Sequence, residues 1–161
     1  MKELGDILGL LLSQKVEFVL VGGYAAVVHG ASFITRDIDI CVRFSPENLL
    51  RLETALRELH PWHRMTPQKL PFVLDPEAST RWKNLYLATD WGAVDCLGAV
   101  SGIGDFDVVH ARSVEMDFSF GTCRVLDLEA LIEAKQAMGR PHDLLTIAQL
   151  KAIQSGKTER G

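Results

Sequence analysis

Residues 17–43 constrain the fold more than any other stretch of the chain. Glu17 to Val21 is a short β-rich run, Glu-Phe-Val-Leu-Val, stopped by Gly22-Gly23. From Asp37 to Arg43 the residues alternate strictly. Asp37, Asp39, Cys41 and Arg43 face one way, and Ile38, Ile40 and Val42 face the other. A period of two over this length predicts a strand with one apolar face. Tyr24 to His29 is small and apolar, ends at Gly30, and suits a short helix packed on a sheet. The stretch from Gly23 to Asp37 is long enough for that helix and a return to an adjacent strand.

The flanking sequence extends this pattern into an α/β (α+β) domain. Leu4, Ile7, Leu8, Leu11 and Leu12 recur at helical spacing and predict a helix over 2–14. Ser45-Pro46-Glu47 opens a second helix running to about His60, with Ser45 as cap and Pro46 in the first turn. Residues 61–83 carry four prolines and read as irregular. Asn84 to Thr89 and Ala93 to Leu97 read as strands joined by a turn at Asp90-Trp91-Gly92, and residues 98–112 read mostly as loop. Glu115 to Phe120 and Cys123 to Leu126 are strand candidates split by Gly121. Asp127 caps a helix to about Met138, Gly139-Arg140-Pro141 breaks it, and His142 to Gln154 forms a last helix before a polar tail from Ser155. The expectation is one domain over 1–161, a small mixed β-sheet with helices mainly on one face.

Composition removes several function classes. With 17 Lys plus Arg against 21 Asp plus Glu, the net charge is −4, and the sequence pI is near 5.7. That argues against holding nucleic acid by bulk phosphate attraction. It leaves room for gripping one end of a nucleic acid or for using a metal-bound nucleotide. No apolar run approaches the roughly 18 residues of a membrane span, so no membrane partner is expected. Cys41, Cys96 and Cys123 are odd in number and far apart, neither a disulfide framework nor a zinc pattern. A reducing cytoplasm is the compartment this fits.

The chemistry centres on Asp37-Ile38-Asp39. Two carboxylates at i and i+2 of a strand share a face, and their repulsion calls for a cation between them. A divalent metal with hard oxygen ligands serves, and keeps positions open for phosphate oxygens. A plain solvated strand face is the ordinary alternative. Gly22-Gly23, where a strand meets a helix, offers backbone N–H groups and a positive helix end suited to a triphosphate. Asp95, an acid in the apolar run Ala-Val-Asp-Cys-Leu, is costly there without a partner or cation. It would complete a metal site or take a proton from an attacking hydroxyl. His29 reads as a core histidine, Trp62, Trp82 and Trp91 as core or interface residues, and Cys41 and Cys96 as inert.

Val-Gly-Gly-Tyr-Ala-Ala-Val-Val-His-Gly followed by Thr-Arg-Asp-Ile-Asp-Ile resembles the signature of the nucleotidyltransferase superfamily with the DNA polymerase beta-like palm. Gly22, Gly23, Asp37, Asp39 and Asp95 fall on its positions. Residues 125–135 and the later Gly-Arg-Pro-His-Asp resemble the end of small stand-alone bacterial members, including AbiEii-type toxins of toxin–antitoxin systems. The resemblance covers about 15–153. It implies transfer of a nucleoside monophosphate from an NTP to a hydroxyl, with release of pyrophosphate. Asp37, Asp39 and Asp95 would hold Mg²⁺ (or Mn²⁺), with Asp95 assisting deprotonation, and Gly22, Gly23, Thr35, Arg36 and Lys135 would meet the triphosphate. Ser32-Phe33-Ile34 fills the stretch where small members carry an Arg. Arg36 is the nearest, with Lys135 and Arg140 as substitutes; Asp143 reads as a helix cap or Arg140 partner. The acceptor is a tRNA end, a protein or a small molecule such as an antibiotic, and a homodimer or partner protein would supply surface for a large one. The competing reading is an inactive nucleotidyltransferase-like binding module or toxin–antitoxin component.

Overall fold

The computed structural model describes residues 4–160, with side chains described to Gly156. Its centre is an antiparallel pair, β1 (Phe18–Val21) and β2 (Asp37–Val42), with Leu20 opposite Ile40 and Val21 opposite Asp39. All four β1 residues are buried, as a strand covered on both faces requires of a continuous apolar run. Between them lies α2 (Gly22–Val28). Gly22-Gly23 stands at the strand-to-helix junction expected of it and forms the first turn of this helix.

One sheet of eight strands grows outward from this pair in the order β4-β3-β5-β6-β2-β1-β10-β9. β6 (Gly92–Leu97) runs parallel to β2. Next come β5 (Asn84–Thr89) and the short β3 (Trp62–His63) and β4 (Leu70–Pro71), all antiparallel to their neighbours. On the other side β10 (Gly121–Leu126) runs parallel to β1, and β9 (Ser113–Phe118) closes the edge. The mixed sheet is the one expected, but two segments read as irregular or loop contribute structure. Residues 61–83 supply β3, β4 and α4 (Pro76–Ser79), capped by Asp75. Residues 98–112 supply the hairpin β7 (Ala99–Val100) and β8 (Gly104–Asp105), then α5 (Phe106–Ala111). Phe106 and Val109 are the buried members of α5, and Asp105 caps it. These elements are too short for periodicity to reveal them.

The helices follow their capping signals. α1 (Asp6–Ser13) packs on α3 (Pro46–Leu56), which continues as a 3-10 turn at Arg57–Leu59. The expected start of α1 at residue 2 lies outside the described residues. α6 (Leu128–Met138) begins where Asp127 Oδ1 accepts from the Ala130 N–H at 2.6 Å and ends on Gly139 in the left-handed region. α7 (Asp143–Arg160) packs on α6 and carries the helix past the expected end at 154, through the stretch read as a tail. No described helix is long and apolar enough to cross a membrane. Cys41, Cys96 and Cys123 are buried free thiols; burial pushes Cys41 up to about 12, so it stays protonated.

Asn48 ties α3 to the central pair. It is buried, its Oδ1 accepts from the Glu17 N–H at 2.7 Å, and its Nδ2 donates to the carbonyls of Glu17 (3.0 Å) and Arg43 (2.8 Å). The amide thus satisfies backbone groups at the entry to β1 and just past β2. Asn48→Leu strands these groups, and a loss of about 2–4 kcal/mol in urea unfolding is expected; a loss below ~0.5 kcal/mol would show that they find other partners.

Candidate active site

The register of three strands brings the acids together. Asp39 of β2 lies directly opposite Asp95 of the parallel β6, and Asp95 lies opposite Tyr86 of β5. Facing residues of neighbouring strands project to the same side. Val21, the last residue of β1, is opposite Asp39, so the start of α2 sits beside the carboxylate. Gly22 takes φ +68, and a Cβ there would stand 2.8 Å from the Asp39 Cβ and run into its carboxylate. Glycine is required here on both counts.

A cleft of about 400 Å³ opens at this point, lined by Gly22, Asp39, Tyr86, Asp95, Lys135 and Arg140 among others. Asp39 is raised from 3.8 to about 6, first by burial, then by the charges of Asp95 and Asp37, with a hydrogen bond to Asp95 adding to the rise and Lys135 opposing it. Asp37 stands one pleat away, opposite Ala93, and is exposed. Gly23 lies under Phe33, whose ring would be 3.5 Å from an added Cβ. Thr35 turns its hydroxyl to the Asp37 carbonyl at 2.8 Å, and Arg36 is exposed. Of the eight residues named from sequence, Gly22, Asp39, Asp95 and Lys135 line the cleft.

The cation paired with these acids is Arg64, which the sequence does not mark. Its Nη2 donates to Asp95 Oδ1, and its guanidinium lies 5.8 Å from the Tyr86 ring centroid. Arg64 follows a two-residue strand in the proline-rich stretch, where no spacing ties it to the acids. Lys135 and Arg140, the substitutes proposed from sequence, converge on Asp143. Lys135 Nζ is 3.2 Å from Oδ1, and Arg140 Nε is 2.7 Å from Oδ2. Asp143 is 1% exposed. Burial pushes its carboxyl up, but the hydrogen bonds and charges of Arg140 and Lys135 outweigh this and hold it below the ordinary value. Asp143 is thus a partner of both cations.

Solved structures share this architecture. The lincosamide antibiotic adenylyltransferase LnuA, lincomycin-bound, matches with TM-score 0.57 and 18% identity over 92% of this chain and 94% of its own. ANT(2")-Ia in complex with adenylyl-2"-tobramycin matches with TM-score 0.57 and 13% identity over 96% of this chain and 94% of its own. The chain has the nucleotidyltransferase fold. No protein-family profile and no curated protein matches the sequence, so the likeness lies in the nucleotidyltransferase fold alone.

Among the described residues of this nucleotidyltransferase fold, no group of three or more His, Cys, Asp or Glu side chains is arranged to hold a metal ion. Asp39 and Asp95 stand opposite each other, Asp37 lies at the exposed margin, and Asp95 is paired with Arg64. The donor chemistry nevertheless fits a hard divalent cation. Asp39 and Asp95 face each other across neighbouring strands, and the negative charges of Asp95 and Asp37 both bear on Asp39.

Two outcomes follow from these charges. Because Asp39 is near 6 in the folded chain against 3.8 unfolded, the native state binds this proton more tightly. Its favourable contribution is fully present below about pH 4 and lost as the pH rises through 6, a cost on the order of 2–3 kcal/mol above that. Asp39→Asn should raise stability by about 1–3 kcal/mol at pH 7.5 in metal-free buffer, with the gain vanishing toward pH 4. A pH-independent difference in melting temperature would contradict this. Lys135→Ala leaves the buried Asp143 to Arg140 alone, so thermal unfolding should show a loss of about 1–2 kcal/mol, where a solvent-facing lysine would cost almost nothing.

Proposed function

We propose that the chain transfers a nucleoside monophosphate from an NTP to a hydroxyl acceptor and releases pyrophosphate. The observation that carries this reading is the opposed pair Asp39–Asp95 beside Gly22, in a cleft that also holds Lys135 and Arg140, on a nucleotidyltransferase fold. A surface strand with alternating acids would not bring a second strand's carboxylate opposite the first, nor press a left-handed glycine against it.

Each residue then has a task. Gly22 lets phosphate oxygens approach the backbone at the start of α2. Lys135 and Arg140 keep positive charge on the cleft wall while sharing Asp143 as counter-ion, so the wall is not a bare cation that would bind any anion. Asp37, Asp39 and Asp95 would hold a divalent ion, which when bound neutralises the triphosphate and favours in-line attack at the α-phosphorus. The acceptor oxygen forms a bond to that phosphorus as the bond to the β-phosphate oxygen breaks, and pyrophosphate leaves. Asp95 would take the proton of the acceptor hydroxyl.

Two neighbours are named for antibiotics, one bound to lincomycin and the other to an adenylylated tobramycin. They favour a small-molecule hydroxyl as acceptor over a tRNA end or a protein. The test is incubation with each α-labelled NTP and Mg²⁺, in turn with a panel of hydroxylated antibiotics, total tRNA and cell extract. Labelled acceptor and released pyrophosphate are expected for one arm, with at least about a hundredfold loss in Asp39→Asn. Mg²⁺-dependent NTP binding with no transfer in any arm would favour a catalytically inactive binding module.

A further inference from the structure

Arg64 has three features that an ordinary surface arginine lacks. Its Nη2 is ion-paired to Asp95, with side chains only 27% and 14% exposed. The negative charges of Asp37 and Asp39 also act on the guanidinium. Its Nε is buried with no hydrogen-bond partner. The Arg64 backbone N–H donates to the Tyr86 carbonyl at 3.0 Å. Since Tyr86 is opposite Asp95 and Asp95 opposite Asp39, Arg64, Tyr86, Asp95 and Asp39 form one row across four adjacent segments of the sheet. The guanidinium thus supplies positive charge where the acids most need it.

The same geometry makes this cation removable. Arg64 lies just beyond β3, which pairs with β5 through only Trp62 and His63. The following residues lead to an equally short β4, and Met65 is 67% exposed. A guanidinium has five N–H donors in a rigid fork. Leaving Nε unpaired and buried wastes one of them, so turning outward toward a phosphate oxygen would satisfy that donor and exchange one anionic partner for another.

We propose that Arg64 is a built-in counter-cation that competes with the divalent ion for Asp95, so that metal enters the acid row only as the guanidinium leaves. This rests on the nucleotidyl-transfer reading of the site. Arg64 is a positioning residue: it partners the Asp95 carboxylate and offsets the charge of the acid row while no metal is present. It also raises the metal concentration needed to assemble the site, which couples metal entry to arrival of a triphosphate able to take over the guanidinium.

The test reads metal binding alone. Mn²⁺ is titrated into wild type, Arg64→Gln and Arg64→Lys at pH 7.5 without nucleotide, and free Mn²⁺ is measured by electron paramagnetic resonance. Removing the competing charge in Arg64→Gln should tighten Mn²⁺ binding by at least about tenfold. Arg64→Lys, which keeps the charge but loses the fork, should fall between the two and serves alone if the Gln variant does not fold. Equal or weaker Mn²⁺ binding in the variants would overturn the competition and leave the metal site standing, since a purely structural arginine would change melting temperature without strengthening metal binding. Absence of Mn²⁺ binding in all three proteins would overturn the metal site itself, a distinct result.

Discussion

Two carboxylates facing each other across parallel strands repel, and the structure has to hold them there against that force. Asp39 and Asp95 stay opposite because their neighbours leave no alternative. Ile38 and Ile40 on β2, and Val94 and Cys96 on β6, are fully buried, and a shift of one residue in either strand would turn the acids inward and those apolar side chains out. The apolar face of the sheet therefore determines the position of the charged one. Burying several aliphatic side chains at about 1.5–3 kcal/mol each exceeds the cost of one crowded carboxylate pair, so the packing prevails.

The charge that this leaves uncompensated organises the surroundings. Arg64 comes in from the β3 side to meet Asp95, and Lys135 acts on Asp39 from α6. Lys135 is itself held by Asp143, buried at the start of α7. Positive and negative groups thus alternate from the sheet through α6 to α7. This gives the two C-terminal helices an electrostatic reason to pack where they do, in addition to the burial of Leu131 on α6 and Leu150 on α7. The charges differ in what they hold: Asp143 keeps Arg140 if Lys135 is removed, whereas removing Asp143 leaves the largely buried Lys135 without its ion-pair partner.

Much of the site was legible because it is built from local chemistry. The alternation of 37–43 placed Asp37 and Asp39 on one face, and the glycine pair marked the strand-to-helix junction. What misled was equally local. The alternation could not separate Asp39, in the cleft, from Asp37, at its exposed margin, since both sit on the same face of one strand. Lys135 and Arg140 have the residue types of phosphate ligands; the local Arg140–Asp143 pair was readable from its spacing of three, but the Lys135–Asp143 contact is made only where α7 meets α6.

The sequence by itself determined the longer strands and helices and the presence of two acids two residues apart, because hydrophobic period, capping side chains and glycine conformations act within a few residues of each other. Tertiary structure decided which charges meet. The pairing of Asp39 with Asp95 depends on β2 and β6 being neighbours although more than fifty residues separate them. The arrival of Arg64 depends on a two-residue strand too short to leave a periodic trace. Electrostatic partners are chosen by distance through space, and no pattern along the chain encodes that distance until the sheet has formed.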